Sequence, residues 1–185
     1  MLRNLLFLFL LLAGIAAAQK PSPEPESLND LRRQFYSAVE DRAAAEKLHE
    51  KLNSKTMSAE IKNDPVLKAY LGATETLLGK HYINPYSKLK HLNNGLEIIA
   101  QAITKDPANL EIRFLRFTIL HYIPSFLGYN EEREEDLKVI YRELLKKDYS
   151  SLPYKIQKGI AEFLIDSGRL TARQQEAVNG LLASR

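Results

Sequence analysis

Leu89, Leu92, Leu96, Ile99 and Ile103 follow one another at steps of three, four, three and four residues, the spacing that lines one face of an α-helix. No other feature of the chain narrows its fold as much. Asn84 supplies a cap, and Pro85 suits the first helical position, where its missing N–H has no intrahelical partner to lose. Lys105-Asp106-Pro107 closes this helix, because a proline ring disfavours helical geometry in the preceding residue, and Pro107 is expected to open the next one. Between Leu110 and Ile123 apolar side chains go nearly all the way round. That segment is therefore expected to be the central helix, covered on most sides. Pro124 ends it. The following Ser125 to Tyr129 is too apolar for an ordinary solvated loop and is expected to pack back onto the domain, with Gly128 allowing the reversal.

The flanking sequence reads the same way. Ser27 with Asp30 resembles a cap before the stripe Leu28, Leu31, Phe35 and Val39, in a helix running to about Glu40. Asp41 caps a second helix, closed by Asn53 and Ser54. Lys55 to Lys62 is polar and receives no assignment. Asn63-Asp64-Pro65 repeats the cap-then-proline signal before a helix reaching Gly79. Glu131 to Asp136 place acids at the start of another helix and Lys146 and Lys147 place bases in its last turn, as the helix dipole favours. Ser150 or Ser151 with Pro153 opens a seventh helix ended by Ser167-Gly168, and Thr171 with Gln174 forms a capping box for the eighth. No segment alternates like a strand. The expectation is an all-α fold of about eight helices in antiparallel pairs, either a right-handed stack or a compact bundle. Alternate helices begin near Leu28, Val66, Leu110 and Leu152, at intervals of 38, 44 and 42 residues, near the roughly 34 to 47 of stacked helix-pair repeats.

Residues 1–18 divide into a basic start with Arg3, an apolar run from Leu5 to Ile15 and Ala16-Ala17-Ala18, the pattern of a secretory signal peptide cleaved after Ala18. Its apolar run is shorter than the roughly 20 residues a spanning helix needs, so no stable membrane insertion is expected once it is removed. Residues 19–26 carry Pro21, Pro23 and Pro25 and suit an extended linker. Residues 27–185 are long enough for one helical domain. The chain has no cysteine, which excludes disulfides and thiolate metal sites. Without Arg3, 25 basic residues face 23 acidic ones; with no basic stripe and with export, a nucleic-acid partner is not expected.

Ala102-Ile103-Thr104-Lys105-Asp106-Pro107-Ala108-Asn109 resembles the end of a tetratricopeptide (TPR) repeat and the turn into the next. Gly95 and Ile99 stand where that repeat wants a small and a bulky residue on its second helix. The segments NPYSKL, DPANLEIRFLRF and IPSFLGYN also resemble a group of exported helical proteins of Bacteroidetes-type bacteria. That likeness spans about Asp64 to Leu145; it implies a TPR-like fold and brings no activity with it.

Candidate sites are few. None of His49, His81, His91 and His121 shows the paired spacing of a hydrolytic zinc motif, so neither a metal nor a cofactor is expected. Ser125, four residues after His121, lacks a glycine-flanked elbow. Arg113 and Arg116 project from one side of an apolar helix and suit a carboxylate or phosphate, although pairing with Glu97, Glu111 or Asp136 would satisfy them equally. Tyr82, Tyr86, Phe126 and Tyr129 either line a peptide groove beside them or close the core, the core being favoured. The binding set expected is Arg113, Arg116, Tyr86, His121, Phe126 and Tyr129, in a non-enzymatic exported module that contacts a protein or peptide of the cell envelope. The alternative is a small-ligand-binding or enzymatic domain with the same arginines and His91 or His121 in a pocket.

Overall fold

The computed structural model describes residues 26–183. The expected signal peptide, its cleavage site and the proline-rich linker, apart from Glu26, lie outside the described residues. The fold is all-α: the described residues contain nine α-helices, one 3-10 turn and no strand. In order these are α1 (Glu26–Ala38), α2 (Arg42–Leu52), α3 (Lys55–Asn63), α4 (Pro65–His81), α5 (Pro85–Lys105), α6 (Leu110–His121), the 3-10 turn Ser125–Leu127, α7 (Asn130–Leu145), α8 (Tyr154–Asp166) and α9 (Ala172–Ala183). They fall into two compact units, 26–137 and 138–183, with the boundary inside α7.

In the first unit the central helix is α4, not α6. No residue from Asp64 to His81 is exposed, and α4 packs on α1, α2, α3, α5 and α6. Its buried positions are mostly small, among them Ala69, Gly72, Ala73, Thr76 and Gly79. An apolar count misses such a helix because its burial comes from close approach rather than from large side chains. A methyl group added to Gly72 would stand 2.6 Å from the Gly95 carbonyl oxygen, and one on Gly95 would strike the Gly72 carbonyl. The two backbones are therefore in contact where α4 crosses α5, an approach only glycine permits. Gly79, in the last turn of α4, which continues to His81, also belongs to the same seam: its Cβ would meet the His91 Cβ at 3.0 Å.

Polar side chains tie the other helices to this pair. Arg32 of α1 grips Glu111 of α6 with two bonds of 2.7 and 2.6 Å, and the Tyr70 hydroxyl of α4 donates to the same carboxylate at 2.7 Å. Burial, then the Glu111 charge, pushes the Tyr70 pKa well above its ordinary value. Lys80 donates to the Val39 carbonyl at 2.6 Å, closing the end of α1.

Several boundaries differ from the sequence reading. Helix α1 is already running at Glu26, ahead of the cap expected at Ser27, and it ends at Ala38. Helix α3 received no assignment because Ile61 is its only buried residue; Ser54, expected to close α2, caps α3 by accepting from the Met57 N–H. Helix α6 opens at Leu110 rather than Pro107, because the Asn109 side chain accepts from the N–H groups of Glu111 and Ile112 at 3.1 Å and is a true cap. The turn after α6 reverses at Gly128, with φ of 87°, and packs back only in part: Leu127 and Tyr129 are half-buried, while Phe126 is 85% exposed.

In the second unit α8 packs against α9, with Ile160, Leu164 and Val178 buried. Helix α8 opens directly after Pro153 with no side-chain cap, while Ser150 and Ser151 bond instead to Asp148. Gln157 satisfies the turn before it, donating to the carbonyls of Asp148 and Leu152 at 2.6 and 2.7 Å. Lys146 and Lys147 fall just past the end of α7, Lys147 with φ of 54°. Gly168, with φ of 65°, ends α8, and Thr171 and Gln174 form the reciprocal capping pair.

Alanine at Gly72 or Gly95 is expected to cost about 3 kcal/mol, because backbone must move to admit the methyl. Alanine at Gly159 or Gly180, helical glycines with open space around the added carbon, is expected to stabilise by about 0.5–1 kcal/mol. Urea unfolding of the four variants checks both signs.

Candidate functional site

The two arginines singled out by the sequence sit in a closed ion cluster. Arg113 is 3% exposed and Asp136 has no exposed surface. Arg113 Nη1 donates to Asp136 Oδ1 at 2.9 Å and its Nε to the Pro107 carbonyl at 2.8 Å. Arg116 takes Asp136 with a fork of 2.7 and 2.8 Å, and Glu135 lies 3.1 and 3.2 Å from the two guanidiniums. Burial works against the charge of Arg116, but its bonds to Asp136, then the charge of Glu135, raise its pKa above the ordinary value. Stranding either guanidinium without Asp136 would cost several kcal/mol, so the cluster joins α6 to α7. Of the three partners weighed from sequence, Asp136 is the one used. Glu111 serves Arg32 and Tyr70, and Glu97 is exposed.

A second cluster was not foreseen. Glu75 of α4 is 8% exposed and lies between His49 of α2 and His91 of α5. His49 Nε2 stands 2.6 Å from Oε2, and His91 Nδ1 stands 2.9 Å from Oε1. The two imidazoles take different oxygens, so the carboxylate separates them, an arrangement for hydrogen bonding rather than chelation. Among the described residues no group of three or more histidine and carboxylate side chains is placed to hold a metal ion. The His49 hydrogen bond, aided by that from His91, outweighs burial and holds the Glu75 carboxyl at about 2. Tyr82 stacks on His91 with ring centres 4.8 Å apart, and the Arg42 guanidinium lies 5.7 Å above Tyr82. Two helices and a turn are thus clamped to α4. The one signal in the sequence was a lone acid, Glu75, within the otherwise uncharged run from Leu71 to Leu78.

The remaining predicted residues mark an uncovered edge. Tyr86 is 77% exposed and Phe126 85%, so neither closes the core. Ile83, 97% exposed, precedes α5, and Tyr86 and the exposed Leu89 follow at steps of three. Asn93 stands one turn further on and accepts from the Tyr129 hydroxyl at 2.6 Å. The reason is geometric. Helix α5 has 21 residues and α6 has 12, so the returning helix and its turn reach only to about Asn93. Leu96, Ile99 and Ile103 are buried, while Leu89 on the same stripe is exposed. The core face of α5 runs on for two turns beyond its cover. His121, half-buried, packs on Phe117 and Tyr122 at the end of α6.

At the start of α7, Asn130 Oδ1, Glu132 Oε2 and Arg133 Nε are buried without hydrogen-bond partners. Donors and acceptors mixed within four residues suit bridging water rather than a ligand of one charge. No protein-family model, curated protein or solved structure matches the chain.

The low pKa of Glu75 has a sign. A carboxyl held at about 2 when folded and near its ordinary 4.5 when unfolded stabilises the fold by up to about 3 kcal/mol above pH 5, and loses this as pH falls towards 2. Glu75→Gln is expected to flatten that acid limb. Urea unfolding at pH 7 and pH 3 checks it: the gap between wild type and variant narrows at the lower pH.

Proposed function

We propose that this protein is an exported, non-enzymatic helical module that docks onto a protein partner in the cell envelope. The observation that carries the reading is the uncovered stripe of Ile83, just before α5, and Tyr86 and Leu89 on it, which ends at Asn93 under the Tyr129 hydroxyl. Contiguous apolar side chains of this size held clear of the core mark interaction surfaces, and tyrosine and phenylalanine supply large contact area at little entropic cost. The close approach of Gly95 and Ile99 to Gly72 is compatible with reading α4 and α5 as a TPR-like pair, and stacks of helix pairs work by presenting such faces to partners. A pocket built on Arg113 and Arg116 finds both already engaged by Asp136, which leaves docking as the better supported reading and gives the arginines a structural part.

A photo-crosslinking amino acid placed at Tyr86 or Phe126 in living cells is expected to give protein adducts on illumination, and the same group at Glu60, exposed on α3, is expected to give none. Adducts at Glu60 alone, or at no position, contradict the reading.

A further inference from the structure

The charges around the uncovered stripe specify what it selects. From Leu77 to Leu96 the chain carries Lys80, His81, Lys88, Lys90 and His91 without a single aspartate or glutamate, and Phe117 to Tyr129 has none either. Two of these bases are engaged: Lys80 bonds Val39 and Glu40, and His91 bonds Glu75. Lys88 and Lys90 are exposed and form no ion pair among the described residues. They precede and follow Leu89, and at about 100° per residue they stand on either side of the stripe. The start of α5 therefore presents an apolar ridge with a free cation along each edge.

We infer that the occupant of this face is an amphipathic helix of the partner protein, its apolar side laid on Ile83, Tyr86 and Leu89 and its flanks acidic towards Lys88 and Lys90. The inference rests on the docking reading and names its chemistry. A helix laid on a helix buries an apolar seam and sets flanking charges opposite one another, which fixes both partner and register. An anionic bilayer fits less well. Exposed Glu131 and half-buried Glu132 follow Tyr129, whose hydroxyl bonds Asn93 at the end of the stripe, so a flat anionic surface would press on these carboxylates. Two lysines, at about 1 kcal/mol each, offer little to offset that. A narrow helix meets the lysines and avoids the glutamates.

The chain contains no tryptophan, so Ile83→Trp gives a single fluorophore on the ridge itself. The protein, purified in the form cells accumulate, is titrated with a synthetic amphipathic helix of leucine and glutamate, with its lysine counterpart, and with vesicles of phosphatidylcholine and phosphatidylglycerol. The expected result is a saturable blue shift with the glutamate helix, roughly tenfold or more weaker with the lysine helix, and declining as salt screens the pairs. Lys88→Glu with Lys90→Glu, both on exposed positions, is expected to reverse the preference while leaving the melting temperature unchanged. Equal binding of both helices, or a preference untouched by charge reversal, overturns the acidic partner while crosslinking at Tyr86 still upholds docking. A shift with vesicles and neither peptide assigns the face to lipid and overturns the inference, as does no shift at all.

Discussion

The backbone contact between Gly72 and Gly95 is the constraint on which the first unit depends. Because α4 and α5 touch main chain to main chain, the side chains flanking the crossing are brought within hydrogen-bond reach of one another. Glu75 and His91 meet across this seam, and His49 closes on the same carboxylate from α2. A methyl at either glycine would push the helices apart by about an ångström, enough to stretch such bonds beyond their ordinary range. The burial of α4 follows too: small residues let five helices surround it, so a helix with modest apolar content becomes the core.

The polar interactions then divide between joining and positioning. Asp136 holds two arginines and fixes α6 to α7; Glu111 receives Arg32 and Tyr70 and fixes α1 to α4 and α6. Glu75, Glu111 and Asp136 each have at least two donors, as a charge away from water requires. With these clusters occupied, the largest exposed side chains at the start of α5 are apolar. The length difference between α5 and α6 leaves two turns of a core-facing stripe in solvent, and the acid-free sequence around it leaves two lysines without partners.

Much of this was legible one residue at a time. Asp64-Pro65, Asn84-Pro85 and the Thr171–Gln174 pair each announce a helix start through a local hydrogen bond, and the structure uses each one. Asp136 was among the partners weighed for Arg113 and Arg116. What was not legible depends on distance through space. Nothing adjacent to Glu75 in sequence points to His49 or His91, and α3 hides because one buried isoleucine gives no periodicity. The apolar turn at Phe126 was expected to be covered on the general tendency of such residues to be buried. Its exposure follows from where α6 stops relative to α5, a comparison of lengths that periodicity cannot make.

Hydrogen exchange along α5, resolved to single amides, reads out whether the start of this helix is uncovered. Slow exchange is expected from Leu96 to Ile103 and markedly faster exchange from Leu89 to Leu92 in the isolated protein, since the latter are helical but lack cover on one side. Uniform protection from Leu89 to Ile103 would mean that the face is already covered and would contradict the account.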